Sequence, residues 1–192
     1  TQVNTTYNDS GVNYTCGASR PIIGIDGFGG TSNAFTGYIS NLRTVKGTAV
    51  YTGNFTPPTA PLTAITNTAL LTCQSNRFLD NSTNNFAVTP TGNTSVVPFS
   101  PFNPTSAWSA STVGGSGYFD GTGDYLTTPD NAAFNLGSSD FLIEAWVYNQ
   151  STTNFKMVMG QWNTGQVSYT LRQNASKWVF TYTTNGTTEV AV

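Results

Sequence analysis

The chain of 192 residues carries seven Lys or Arg, nine Asp or Glu and no His, for a formal net charge of −2, with 38% hydrophobic and 13% aromatic residues. That much apolar side chain builds a core and excludes a disordered polar tract. The seven cations are scattered from Arg20 to Lys177 and form no stripe that would neutralise a phosphate backbone, which argues against a nucleic-acid partner.

Thr, Ser, Asn and Gly supply most of the uncharged polar surface and fit strands and turns better than helix interiors. The expectation is therefore an all-β chain with no helix longer than about two turns. No window approaches 18 consecutive apolar residues and no basic stretch precedes an apolar h-region, so neither a membrane span nor a signal peptide is legible. A signal would lie outside these residues.

Residues 1–14 read as short polar β structure broken by the turn Asn8-Asp9-Ser10-Gly11. Residues 21–25 form a short apolar strand, and Asp26-Gly27 with Gly29-Gly30 supplies a tight rim loop. Then Tyr38, Ser40 and Leu42 alternate against Ile39, Asn41 and Arg43, as a strand with one buried face does. Pro57, Pro58 and Pro61 interrupt regular pairing. The chain thus divides into 1–58, a Pro-containing linker at 59–68, and 69–192.

The second part opens on ALLTCQ and passes through a polar region of thin hydrophobic content. Tyr118-Phe119 and Tyr125-Leu126 then flank the doubled turn from Asp120 to Asp124, a hairpin or rim loop. FLIEAWVY follows as a nearly continuous apolar strand of the kind buried on both faces or set at the centre of a sheet. KMVMGQW, VSYTLRQ and KWVFTYTT are further short, regularly spaced strands, which argues for a sandwich. Phe119, Leu126, Leu142, Trp146, Val147, Ile39 and Leu42 are the expected core.

Residues 69–148 resemble the opening of a laminin-G-like, concanavalin-like jelly roll. The parts that carry the resemblance stand in the family's order: Leu70-Leu71, then Leu79-Asp80-Asn81-Ser82, then FDGTGDYL from Phe119 to Leu126, then IEAWV from Ile143 to Val147. Residues 1–58, with GYISNLRTVKGTAVYTGNFTPP after a Gly-rich loop, are similar to the closing part of the same fold. This form resembles repeats in virion-associated and surface proteins of aquatic phages. The family's end thus comes first and its beginning second, a permuted order. By the resemblance, a complete repeat carries about 20 more residues after Val192, and the chain reads as one period of a tandem array or a permuted unit. The resemblance places the chain outside the cell or on a virion surface.

With no His, Ser-His-Asp and Cys-His machinery and the commonest zinc ligand are all missing. Glycosidases of concanavalin-like fold need paired carboxylates, and Glu144 stands alone on its strand, so no enzyme is expected. Glu144 reads instead as a structural acid, hydrogen-bonded at a sheet edge or paired with Arg or Lys. No cofactor is required by any motif. Asp120 and Asp124 flank Gly121-Thr122-Gly123 and form a candidate Ca²⁺ site, with Asp26 as a third ligand; the alternative is that both carboxylates stabilise turns. Laminin-G-like families often bind Ca²⁺ at the rim.

Trp162, Trp108 and Phe28, in polar loop-like surroundings, are candidates for stacking on sugar rings. Nine sequons, at Asn4, Asn8, Asn13, Asn54, Asn81, Asn93, Asn149, Asn174 and Asn185, are candidates for N-glycosylation. Composition alone supplies roughly five of them. Cys16 and Cys73 make one disulfide or two buried thiols.

Two functions follow: a structural repeat of an extracellular fibre or virion appendage, and a carbohydrate-binding adhesin module, with Ca²⁺ as its candidate ligand. The inverted order leaves two incomplete half-sandwiches, whose edges recruit strands from a neighbouring copy; the expected assembly is a head-to-tail filament. A permuted sandwich completed within one chain is the competing outcome.

Overall fold

The computed structural model describes residues 21–26, 33–102, 114–137, 139–153, 155–163, 166–183 and 187–191. Strands dominate: β1 Ile22–Ile23, β2 Thr36–Lys46, β3 Thr68–Thr72, β4 Thr89–Thr91, β5 Ser95–Val97 and β6 Ser116–Asp120. There follow β7 Tyr125–Thr127, β8 Phe141–Asn149, β9 Lys156–Asn163, β10 Gln166–Asn174, β11 Lys177–Thr183 and β12 Glu189–Ala191. The longest helical element among the described residues is a 3-10 turn, Ala132–Phe134, capped by the Asn131 side chain, which accepts from the Ala133 amide at 2.9 Å.

The strands form two antiparallel sheets. One has seven strands in the order β12-β11-β10-β9-β1-β7-β4. The other has five: β8 lies along one edge of the long β2, while β3 and β6 share its other edge and β5 follows β6. Between the sheets lie Ile23, Phe35, Ile39, Leu42, Leu70, Phe119, Leu126, Val158 and Met159, nearly all fully buried. Each such side chain stabilises the fold by roughly 1.5–3 kcal/mol through area removed from water. Phe35 meets Phe119 edge to face at 6.2 Å. The fold is thus an all-β sandwich.

The first part of the chain is wedged into the middle of both sheets. β1 sits between β9 and β7, and β2 between β8 and the pair β3 and β6. The two segments therefore pair into one sandwich within a single chain. Residues 59–68 are fastened down as well: the Leu62 amide donates to Asn41 Oδ1 at 2.7 Å, and Arg43 Nη1 donates to the Thr63 carbonyl at 2.9 Å.

Two local features set the register of β2 against β8. Gly37, at φ +140°, leaves room for the Tyr148 carbonyl, which any Cβ there would strike. At Asn41, φ is +53° and the pairing shifts by one residue between Ser40 and Arg43, a bulge. Beyond the bulge, Arg43 faces Glu144 directly.

Five of the seven expected core residues lie where the alternation places them: Ile39, Leu42, Phe119 and Leu126 are fully buried, and Val147 packs partly buried against the core. Leu142 and Trp146 do not. Among the described residues FLIEAWVY is an edge strand and not a central one, and its two faces differ: Ile143, Ala145 and Val147 turn inward, whereas Leu142, Glu144 and Trp146 share the outer face and are only half-buried. A strand apolar on both faces hides this distinction in sequence.

Candidate functional site

The outer face of the five-stranded sheet carries two concavities separated by Trp146. The larger, about 450 Å³, is a groove walled by Tyr51, Phe55, Pro57, Pro58 and Leu62 on one side and by Leu142 to Trp146 of β8 on the other. The smaller, about 170 Å³, lies among Tyr38, Phe99, Pro101, Tyr148 and Trp146. Around the second, rings pack in a chain: Tyr38 meets Phe99 at 4.7 Å, Tyr118 at 5.2 Å and Tyr148 at 6.0 Å. In the groove wall, Tyr51 and Phe55 stack at 4.0 Å, 12° from parallel. Tyr148 is 57% exposed and Phe55 54%, so these rings offer free faces.

Glu144, which lines the groove, is ion-paired. Arg43 Nε donates to Glu144 Oε1 at 2.6 Å and its Nη2 pairs with the same oxygen, while the Tyr51 hydroxyl donates to Glu144 Oε2 at 3.0 Å. Burial, then the adjoining Glu144 carboxylate, raises the Tyr51 pKa and keeps its proton on oxygen. Glu144 is the one carboxylate lining the groove, and both its oxygens are taken. What the groove can do is hold a flat apolar face, a sugar's C–H face or a prolyl ring, against Trp146, Tyr51 and Phe55.

The candidate calcium site has a different construction. Asp124 is fully buried; its Oδ1 accepts from the Asn93 amide at 2.8 Å and its Oδ2 from the Asp120 amide at 2.9 Å. Asp120 accepts from the Thr122 amide at 2.6 Å and from Asn93 Nδ2 at 3.0 Å. Both carboxylates therefore act as turn clasps joining two loops. Asp26 is buried and accepts from Asn33 Nδ2. Among the described residues no group of three or more metal-ligating side chains assembles, so Asp26 does not join Asp120 and Asp124 in one.

Trp162 is only 4% exposed, with the Arg172 guanidinium 5.7 Å from its ring, and offers no free face to a sugar. Trp108 and Phe28 lie outside the described residues. The rings exposed around the two concavities are instead Tyr148, Phe55 and Phe99, with half-buried Trp146 between them. A signal for them existed: Glu144, Trp146 and Tyr148 recur at every second residue, and the lone acid marks that face as the outer one.

Of the sequons, Asn54, Asn81 and Asn93 are exposed, although Asn93 Nδ2 is engaged with Asp120. Asn149 and Asn174 are half-buried, and Asn149 Nδ2 donates to both the Ser151 carbonyl and Gln173. Asn4, Asn8, Asn13 and Asn185 lie outside the described residues. Cys73 is a free, buried thiol whose pKa burial pushes up to about 12; Cys16 lies outside the described residues. No helix among the described residues is long and apolar enough to cross a membrane. The chain matches no family model, no curated protein and no solved structure.

Proposed function

We propose that the chain is a non-catalytic structural module of an extracellular fibre or virion surface, built to associate with further copies through sandwich edges. The observation that carries this reading is β8: nine residues with a single acid, paired on one side only among the described residues. Its outward backbone groups are set by two hydrogen bonds, Gln150 N to the Thr36 carbonyl at 2.9 Å and Gly47 N to the Asp140 carbonyl at 2.5 Å. With the register these assign the even residues of β8 to β2, so Phe141, Ile143, Ala145, Val147 and Asn149 point N–H and C=O toward the open side. Such an edge is a template for another strand. The resemblance to virion-associated repeats supports the location. Sedimentation velocity over a hundredfold concentration range tests the reading: mass rising with concentration supports it, and a monomer throughout sinks it.

A second reading is favoured by the groove. Stacked Tyr51 and Phe55 opposite Trp146, over polar Asn41 and Glu144, suit a glycan-binding module. A glycan array run with and without a chelator tests it. Retention of one sugar class, lost in Trp146→Ala, supports the groove; loss on chelation alone would return the binding to the Asp120 and Asp124 loop.

A further inference from the structure

The two sheets are unequal, and the inequality falls on one side of the molecule. Among the described residues, the seven-stranded sheet ends there in β10, β11 and β12, whereas the five-stranded sheet stops at β8. Contact between the layers on that side reaches Phe180 through Phe141, with ring centres 5.4 Å apart. Leu171 packs on the core, and the registers Leu171 to Phe180, Gln173 to Trp178 and Tyr182 to Val190 place Trp178, Phe180, Tyr182 and Val190 on the same inward face. An inward face should be covered. Yet Trp178 is 48% and Val190 38% exposed, and Phe180 and Tyr182 are half-buried. The polar face of the same strands, with Thr181 and Thr183, is the buried one.

The opposite side of the sandwich is protected. There the edges are β4, which carries Pro90, β5, which Pro98 follows directly, and β3, whose Leu71 amide donates to Asp80 Oδ1 and whose Leu71 carbonyl accepts from the Asn81 amide. Proline lacks the donor that strand pairing needs, and it commonly guards edges against association. β8 and β12 contain neither proline nor lysine. Their only charges, Glu144 and Glu189, are neutralised by Arg43 and Arg172. Two such sides can therefore meet without like-charge repulsion.

We infer that the side bearing β8 and β12 binds the same side of a second copy about a two-fold axis. This rests on the structural-module reading and specifies its contact. With the layers exchanged by the axis, β8 of each copy lies beside β12 of the other, and the two overhanging faces cover one another's Trp178 and Val190. The contact is isologous and closes as a dimer. The ground for a head-to-tail contact, two half-sandwiches each needing a neighbour, is removed by their pairing within the chain. A nine-residue edge is ~30 Å long, and two layers with their side chains are ~20 Å thick, which gives on the order of 600 Å² per copy before the overhangs interlock. Stable dimers bury about 800 Å² per partner, so the area is of the right order.

The test uses residues 1–192 and four proteins: the unaltered chain, Val190→Lys, Ala145→Pro and, on the guarded side, Ser95→Lys. Val190 and Ser95 are exposed, and the Ala145 amide points away from β2, so each variant keeps its ladder; circular dichroism and melting temperature check this. The unaltered chain and Ser95→Lys should sediment as dimers with the same Kd, while Val190→Lys and Ala145→Pro should weaken the dimer at least tenfold. Amide exchange at Ile143, Ala145 and Val147 should be slow in the dimer and fast in Val190→Lys. Association abolished by Ser95→Lys but indifferent to Val190→Lys would overturn the two-fold contact while leaving the structural-module reading in place. A monomer with slow exchange at those amides would also overturn it, since the edge would then be covered within the chain. A monomer at all concentrations with fast exchange removes both.

Discussion

The two faces of β8 make an instructive contrast. Inward, Ile143, Ala145 and Val147 pack on a core of fully buried side chains around Phe119 and Ile39. Outward, one residue along in each case, Leu142, Glu144 and Trp146 line an open groove in which Glu144 is ion-paired with Arg43, and Tyr148 lines the smaller concavity. Both faces carry apolar side chains, and what separates them is the single acid on the outer one and the company each keeps. The inner face meets another sheet; the outer face meets a loop held 4.0 Å from ring to ring by Tyr51 and Phe55. The lesson is that an apolar residue on this strand reports a core only when its neighbours at every second position are also free of charge.

The sharpest way to break the contrast is to truncate the inner side. Phe119→Ala should lower the unfolding free energy by about 3–5 kcal/mol, because a fully buried aromatic ring leaves a cavity that neighbours only partly fill. Urea denaturation measures it. A loss below about 1 kcal/mol would mean that the two sheets are not packed through Phe119.

Next in size is the outer ion pair. Arg43→Ala strands Glu144 in a partly buried site with only Tyr51 as donor, and should cost about 3 kcal/mol. Arg43→Met combined with Glu144→Met should recover most of that loss, since the penalty is an uncompensated charge and not a missing attraction. Denaturation of the single and double variants separates these. A double variant as unstable as the single one would show that the pair is needed for packing.

Trp146→Ala tests the boundary itself. A half-buried indole on the outer face should cost about 1–2 kcal/mol, well under the 3–5 kcal/mol of a core aromatic. A loss as large as that of Phe119→Ala would return Trp146 to the core.

Much of this architecture was legible in the residues. The short strands, the turn from Asp120 to Asp124, and a partnered Glu144 all followed from period and turn chemistry. The place of β8 at a sheet edge was not, because strand order is a long-range property and a run such as FLIEAWV satisfies a central or an edge position equally. The groove was hidden for the same reason: Tyr51 is 93 residues from Glu144 in sequence, and it and Phe55 meet β8 only through the fold. Trp162 misled for the opposite reason, since its polar sequence neighbours say nothing about the Arg172 that flanks it in space.

The last expected effect concerns Cys73, a member of the buried core between the sheets. Burial raises its thiol pKa from an ordinary 9.0 to about 12, against weaker opposition from hydrogen bonds with Thr72 and Gly117. The folded state therefore holds the proton more tightly than the unfolded chain does. A raised folded pKa contributes stability that is fully present below the unfolded value of 9.0 and is lost as pH rises toward about 12, because unfolding then releases a proton. Across that window the slope is roughly 1 kcal/mol per pH unit. Tyrosines and lysines titrate over the same range, so the informative quantity is the difference between the unaltered chain and Cys73→Ala. Cys73→Ala should start less stable, from the small cavity it leaves, and the gap should narrow between pH 9 and pH 11 in urea titrations. A gap that stays constant over that range would mean that the thiol reaches water in the folded state, and with it that the layer around Leu42 and Leu70 is more open than its burial indicates.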